Sequence, residues 1–226
     1  LGEVMCATLH NNTPVKKGEQ LAGTRLIPLV SKRGVVKAAV AIAEKAGGIL
    51  KVAQLKQAKA GLIITGNEVF HGRIKDAFEP VLRKKLERLG SEVVAVRFAP
   101  DDIETIATEI KACLAAGADL IVTSGGMSVD PDDVTRQGIA LAGAEDIVYG
   151  TPVLPGAMFL VGYIGAVPVL GLPACGMFHK ITVFDLILPR VLCGEKITRQ
   201  DVAQLGHGGL CRQCKSCAYP ICGFGK

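Results

Sequence analysis

Thr123-Ser124-Gly125-Gly126-Met127-Ser128-Val129-Asp130-Pro131-Asp132-Asp133 is the stretch that decides the fold. Just before it, Leu120-Ile121-Val122-Thr123 reads as a short buried strand, and residues 134–141 read as a helix. The glycine pair therefore sits at a strand's exit, on the carboxyl edge where open α/β sheets bind ligands. Glycines let backbone N–H groups approach an anion, Ser124 and Ser128 add hydroxyl donors, and the following helix offers its positive end, so a phosphate suits the loop. Asp133 and its neighbours would repel a bare phosphate, so they read as metal- or oxyanion-handling groups or as caps, with Asp130-Pro131 placing Pro at the first helical position.

Outward from this loop, apolar strands alternate with amphipathic helices from Gly61 on, the pattern of βαβ units winding a mostly parallel sheet. Strands are expected at 62–65, 93–98, 120–123, 146–148, 159–163 and 167–170. Helices are expected at 76–89, from Asp101 or Asp102 to Gly117, at 134–141, and last at 178–193. The fold class is a three-layer α/β/α domain with a mostly parallel sheet, a small N-terminal α+β segment and a short tail. Domain boundaries fall at 1–60, 61–194 and 195–226. In the first segment, strands are expected at 4–9, 24–30 and 49–55 around a helix from Ser31 to Lys45, with a polar hinge at 56–59.

Composition narrows the function classes. The chain has 226 residues, 49% of them hydrophobic, no Trp, and a net charge of +5 that no Lys/Arg block concentrates. That balance, with few aromatics for base stacking, argues against a dedicated nucleic-acid surface. No apolar run reaches the roughly 18–20 residues of a membrane helix. The sequence opens at Leu1 without a signal-peptide pattern, reading as a piece of a longer chain. Its scattered cysteines do not form a secreted disulfide framework, and a cytoplasmic location is expected.

The glycine loop resembles the Gly-Gly-x-Ser-x-Gly-x-x-Asp signature of the molybdopterin-binding domains of molybdopterin molybdotransferases, gephyrin and related adenylyltransferases. Gly125, Gly126, Ser128 and Asp133 match, and Asp130 stands in place of the third glycine. Thr65-Gly66-Asn67-Glu68 is similar to the family's Thr-Gly-Asp-Glu, and Gly72-Arg73-Ile74-Lys75-Asp76 to its Gly-x-Ile-x-Asp. Pro155-Gly156 matches the start of Pro-Gly-Lys-Pro, with Ala157-Met158 replacing the rest. Gly171-Leu172-Pro173 matches the start of Leu-Pro-Gly-Asn-Pro, after which Ala174-Cys175-Gly176 departs. The resemblance implies binding of molybdopterin, as the molybdenum cofactor or its precursor, with molybdate as a second substrate and a homo-oligomeric assembly. It further implies that Thr123, Ser124, Gly125, Gly126, Ser128, Pro155, Gly156 and Pro173 hold the cofactor, the glycines and Ser128 at its phosphate. Glu68, Asp76 and Asp133 would line the cleft beside the dithiolene or molybdate as catalytic groups. Read without the resemblance, Glu68 and Asp76 are solvated carboxylates favourable to a helix start.

The tail carries Cys211, Cys214, Cys217 and Cys222, a C-x2-C-x2-C-x4-C spacing. Four thiolates this close are the inventory for Zn²⁺ or an iron–sulfur cluster, while free thiols or a disulfide on an ordered tail is the plainer reading. So small a tail has no core of its own, and metal ligation is expected to order it. Cys175 reads as a small buried hydrophobe or as a thiol facing the pterin sulfurs, and His71 and His179 as surface or packing groups. Two functions follow: an enzyme inserting molybdate into molybdopterin, or a non-catalytic carrier or regulatory module with a metal- or redox-sensing tail. A scaffold that no longer binds pterin is a third. Partners under the first two are other cofactor-biosynthesis proteins or molybdoenzymes.

Overall fold

Lys59–Thr65 is apolar from Ala60 to Ile64, the mark of a strand covered on both faces, and every residue after Lys59 is buried. In the computed structural model, which describes residues 2–128, 130 and 132–226, this strand lies inside a six-stranded sheet. The chain divides into two compact units, Leu1–Gln54 and Leu55–Lys226.

The first unit pairs β1 (Val4–Thr8) with β2 (Ala22–Leu26) antiparallel, followed by α1 (Arg33–Lys45). No residue of α1 is buried, and Val40 and Ile42 of its apolar stripe are exposed. The strand expected at 49–55 is absent: these residues join no β-ladder, and apolar side chains without a ladder do not make a strand.

The second unit runs β3 (Lys59–Thr65), α2 (Asn67–Phe70), α3 (Phe78–Arg88), β4 (Glu92–Ala99), α4 (Ile103–Ala115), β5 (Leu120–Ser124), α5 (Thr135–Leu141), β6 (Glu145–Tyr149), β7 (Leu160–Ile164), β8 (Val167–Leu172), α6 (Cys175–Phe178), α7 (Val183–Leu192) and α8 (Arg199–Gln204). Strand order is β4-β3-β5-β8-β7-β6. Only β7 runs against the rest, pairing antiparallel with both β8 and β6. Pro168 is tolerated in β8 because it faces β7 alone; the β5 ladder begins one residue later at Ile121–Val169. Alternate residues of each strand feed two cores: Leu62, Ile64 and Val122 pack beneath α3 and α7, while Ile63 and Ile121 pack beneath α4 and α5. The three-layer α/β/α expectation is thus met.

Two helix expectations need correction. The helix expected over 178–193 is two helices, α6 and α7, because His179 turns extended and Thr182 opens a new capping box with Asp185. A second capping box, Thr198 with Asp201, starts α8, a helix not expected within the cysteine-rich tail. Ile197, Val202 and Leu205 of this segment join the main core, so residues 195–226 belong to the second unit rather than standing apart. Pro131, expected to open α5, lies outside the described residues, as does Val129; α5 begins only at Thr135.

Asp201 ties α8 down and sets an acid limit on stability. Its carboxylate accepts from the Thr198 hydroxyl and amide and from Arg190 Nη2 at 2.8 Å, and these bonds hold its pKa below the usual aspartate value, the Thr198 hydroxyl foremost. A depressed folded-state pKa contributes stability above the unfolded value and loses it as pH falls through the folded one. Denaturant unfolding should therefore show a contribution that is constant at neutral pH and fades below about pH 4, and Asp201→Asn should flatten that acid decline.

Candidate functional site

Because β3, β5 and β8 run parallel, their carboxyl ends deliver Gly66, Gly125 and Pro173 to one edge of the sheet. The order β4-β3-β5 makes the β3/β5 boundary a switch point, where such sheets open a crevice. At that point Gly125 has φ of 89° and Gly126 of 55°. Their lack of a side chain answers a packing demand: a Cβ on Gly125 would meet Thr65 O at 2.5 Å, and one on Gly126 would meet Thr135 Oγ1 at 2.3 Å. The Thr65 hydroxyl bonds Ser124 O at 3.0 Å and Thr135 Oγ1 at 2.9 Å, closing a buried knot under the turn. Tyr149 Oη, itself stacked under Arg136, donates to Met127 O at 2.7 Å and pins the far side of the loop.

This geometry corrects the expected phosphate cradle in one respect. The Gly125 amide donates to Leu172 O at 3.2 Å, so it is already spent within the sheet. Thr123 Oγ1 and Ser124 Oγ are buried at the strand's exit without hydrogen-bond partners among the described residues. Buried hydroxyls are ordinarily paired, so these two are polar capacity held in reserve beneath the loop.

A cavity of about 570 Å³ opens beside the turn. Four expected residues line it together, Ser128, Pro155, Gly156 and Pro173, brought from the β5 exit, the β6–β7 connection and the β8 exit. Thr123, Ser124, Gly125 and Gly126 are not among its lining residues. Cys175 and His179 also line the cavity, and burial pushes the Cys175 thiol up, keeping it protonated. Leu210, Cys211 and Gln213 line it as well. No local motif announced these three; they arrive because Leu154 N donates to Gly209 O and Cys211 N donates to Leu154 O, both at 2.8 Å.

The three expected catalytic carboxylates are not among the cavity's lining residues. Glu68 is exposed on α2. Asp76 accepts the amides of Phe78 at 2.8 Å and Glu79 at 2.9 Å, serving as a cap on α3. Asp133 is half-buried, its amide bonded to Asp130 O at 3.0 Å. His71 is exposed, edge-on to Phe70. An unforeseen pair works nearby: the Asp101 carboxylate accepts the Asn67 amide at 2.9 Å and Asn67 Oδ1 accepts the Asp101 amide at 3.2 Å, joining the β3 and β4 exits.

The tail docks through a defect in α7. Pro189 has no N–H, so the Asp185 carbonyl four residues earlier loses its helical donor, and Tyr219 Oη supplies one at 2.8 Å. Phe224 is buried against the same core, and Gly225 passes so close to Leu186 that a Cβ would sit 2.5 Å from its Cδ2. Packing therefore orders this segment, where metal ligation had been expected to. Among the described residues, no three Cys, His, Asp or Glu side chains converge to hold a single metal ion, and no helix is long and apolar enough to cross a membrane.

Known proteins share this architecture. The molybdopterin biosynthesis enzyme MoaB from Thermus thermophilus superposes with a TM-score of 0.51 at 21% identity, over 62% of this chain and 98% of that one, a likeness of fold. The molybdopterin biosynthesis MoeA protein from Pyrococcus horikoshii does so with a TM-score of 0.51 at 29% identity, over 61% of this chain and 35% of that one. By sequence, a CinA-like protein of Thermosipho melanesiensis is 34% identical over 91 residues, 40% of this chain and 22% of that protein, so the match spans only about a fifth of that relative. The family model described as "Probable molybdopterin binding domain" matches residues 61–192, more than half of the chain. With that span running from within β3 to the end of α7 and the Gly125–Gly126 turn at its centre, the chain belongs to the molybdopterin-binding domain family.

Proposed function

We propose that the chain binds molybdopterin, as the molybdenum cofactor or its precursor, in the cavity beside the Gly125–Gly126 turn and holds it for molybdenum-cofactor biosynthesis. The supporting observation is the convergence of Ser128, Pro155, Gly156 and Pro173 on one 570 Å³ cavity at the sheet's carboxyl edge, a volume in the usual range for small ligands. Ser128 offers its hydroxyl to the ligand's phosphate, and the buried, unpartnered Thr123 and Ser124 hydroxyls at the β5 exit add polar capacity to the same loop. Pro155, Gly156 and Pro173 shape the apolar wall. When bound, molybdopterin supplies a phosphate monoester and a dithiolene pair that takes the metal.

Holding the cofactor is favoured over inserting molybdate. Asp76 spends its carboxylate as a cap, and neither Glu68 nor Asp133 is among the lining residues, so no carboxylate of the expected set stands where an incoming oxyanion would be handled. A cytoplasmic setting is part of this reading, in which other cofactor-biosynthesis proteins or molybdoenzymes would receive the cofactor. A homo-oligomer remains part of this reading.

Anaerobic titration of the full chain with molybdopterin tests it. Saturable binding is expected, weakened about tenfold by Ser128→Ala, the worth of one hydrogen bond to a charged group. Affinity untouched by that substitution would place the ligand elsewhere, and release of a molybdenum-loaded product on adding molybdate would favour the inserting enzyme instead.

A further inference from the structure

A second cavity, of about 530 Å³, lies between the start of α7 and the C-terminal segment, and its wall carries all four tail thiols, Cys211, Cys214, Cys217 and Cys222. They ride on a pinned backbone. Cys211 N bonds Leu154 O at 2.8 Å at the start, Tyr219 holds the middle through Asp185 O, and Gly225 N bonds Gly208 O at 3.0 Å at the end. Cys211 is half-buried and the other three are exposed.

The room around the four cysteines selects the kind of metal group. A lone tetrahedral zinc needs only a point about 2.3 Å from each sulfur. A cubane cluster takes one thiolate at each iron corner, so its ligands stand around a body several ångströms wide. A cavity of about 530 Å³ lined by all four cysteines has room for such a body. Charge agrees as well: the cubane with four thiolates is net anionic, and Lys180, Arg212 and Lys215 line the same cavity. The C-x2-C-x2-C run places its first three ligands at the intervals such clusters use.

We propose that Cys211, Cys214, Cys217 and Cys222 ligate a [4Fe–4S] cluster in this cavity. The site stands independently of what the neighbouring cleft binds, since none of the four thiols belongs to the glycine turn or the loops matched to the pterin family. Cys211 also lines that cleft, so the cluster would sit next to the cleft's ligand.

The full chain, purified anaerobically, is incubated with sulfide, equal amounts of ferrous and ferric iron, which sum to the two-plus cluster's oxidation level, and zinc in competition; bound metal and sulfide are then counted. About four iron and four sulfide per chain, with the broad visible absorption of thiolate-ligated iron, are expected. Cys214→Ser and Cys217→Ser should each cut bound iron several-fold while the thermal transition of the metal-free chain stays in place, because both side chains are exposed. Cys6→Ser, far along the sequence in the first unit, should leave the count unchanged. About one zinc per chain without sulfide, no metal at all, or iron that survives the double substitution of Cys214 and Cys217 would each overturn the proposal. Molybdopterin titration of the same preparations reads the cleft separately, so either site can fail alone.

Discussion

Gly126→Ala should unfold the second unit at a markedly lower denaturant concentration, with a loss of about 3 kcal/mol. Two costs add. At φ of 55° an L side chain is strained by roughly 1–2 kcal/mol, and here the new methyl carbon would stand 2.3 Å from Thr135 Oγ1. Thr135 cannot yield cheaply, since it is fully buried and its hydroxyl is bonded to Thr65. Gly125→Ala should behave similarly, meeting the Thr65 carbonyl, a backbone atom inside the sheet, at 2.5 Å. As a control, Gly165→Ala carries nearly the same positive φ of 59° but meets nothing within 4 Å, and should cost only the backbone strain. Equal losses at positions 126 and 165 would show that the close packing of the turn contributes nothing.

Asp185→Ala is expected to cost about as much, by another route. One carboxylate accepts Lys85 Nζ at 2.7 and 2.5 Å and the Thr182 amide at 2.8 Å, so its loss strips α7 of its capping box and leaves a cation unpaired. Both partners are only about 13–14% exposed. Removing one member of a buried pair costs about 3–5 kcal/mol, and the residual exposure together with Lys85's bond to Lys180 O brings the expectation down to about 2–3. Chemical denaturation of Asp185→Ala, Lys85→Ala and the double variant separates the terms. The double variant should recover part of the loss, and strict additivity would mean the pair is not coupled.

Much of this fold was legible because burial on both faces writes continuous apolar runs: Leu62-Ile63-Ile64 and Leu120-Ile121-Val122 name the central strands without help. The apolar stretch Ile49-Leu50 with Val52 and Leu55 looked similar but had no ladder to join, a fact no local window contains. The split between α6 and α7 was readable in principle from Thr182-x-x-Asp185, and the start of α8 from Thr198-x-x-Asp201; an unbroken hydrophobic period outweighed the first signal and a cysteine-dominated tail the second. At the site, Ser128, Pro155, Gly156 and Pro173 were accessible through motif order, because loops at the ends of parallel strands converge by topology. Glu68 and Asp76 are not among the lining residues, and a short motif states residue type and spacing but not where a carboxylate spends its lone pairs. The contribution of Leu210, Cys211 and Gln213 to the cleft was invisible, as it depends on one bridge between positions 154 and 210.

That bridge makes the C-terminal segment a structural tenant of the cleft as much as a carrier of thiols. Two amide–carbonyl links through Leu154 anchor the peptide that runs straight into Pro155 and Gly156, so shortening the chain before Leu210 would slacken the very loop on which a ligand leans. Point changes in the thiols, rather than deletion of the segment, are what keep chemistry and scaffolding apart.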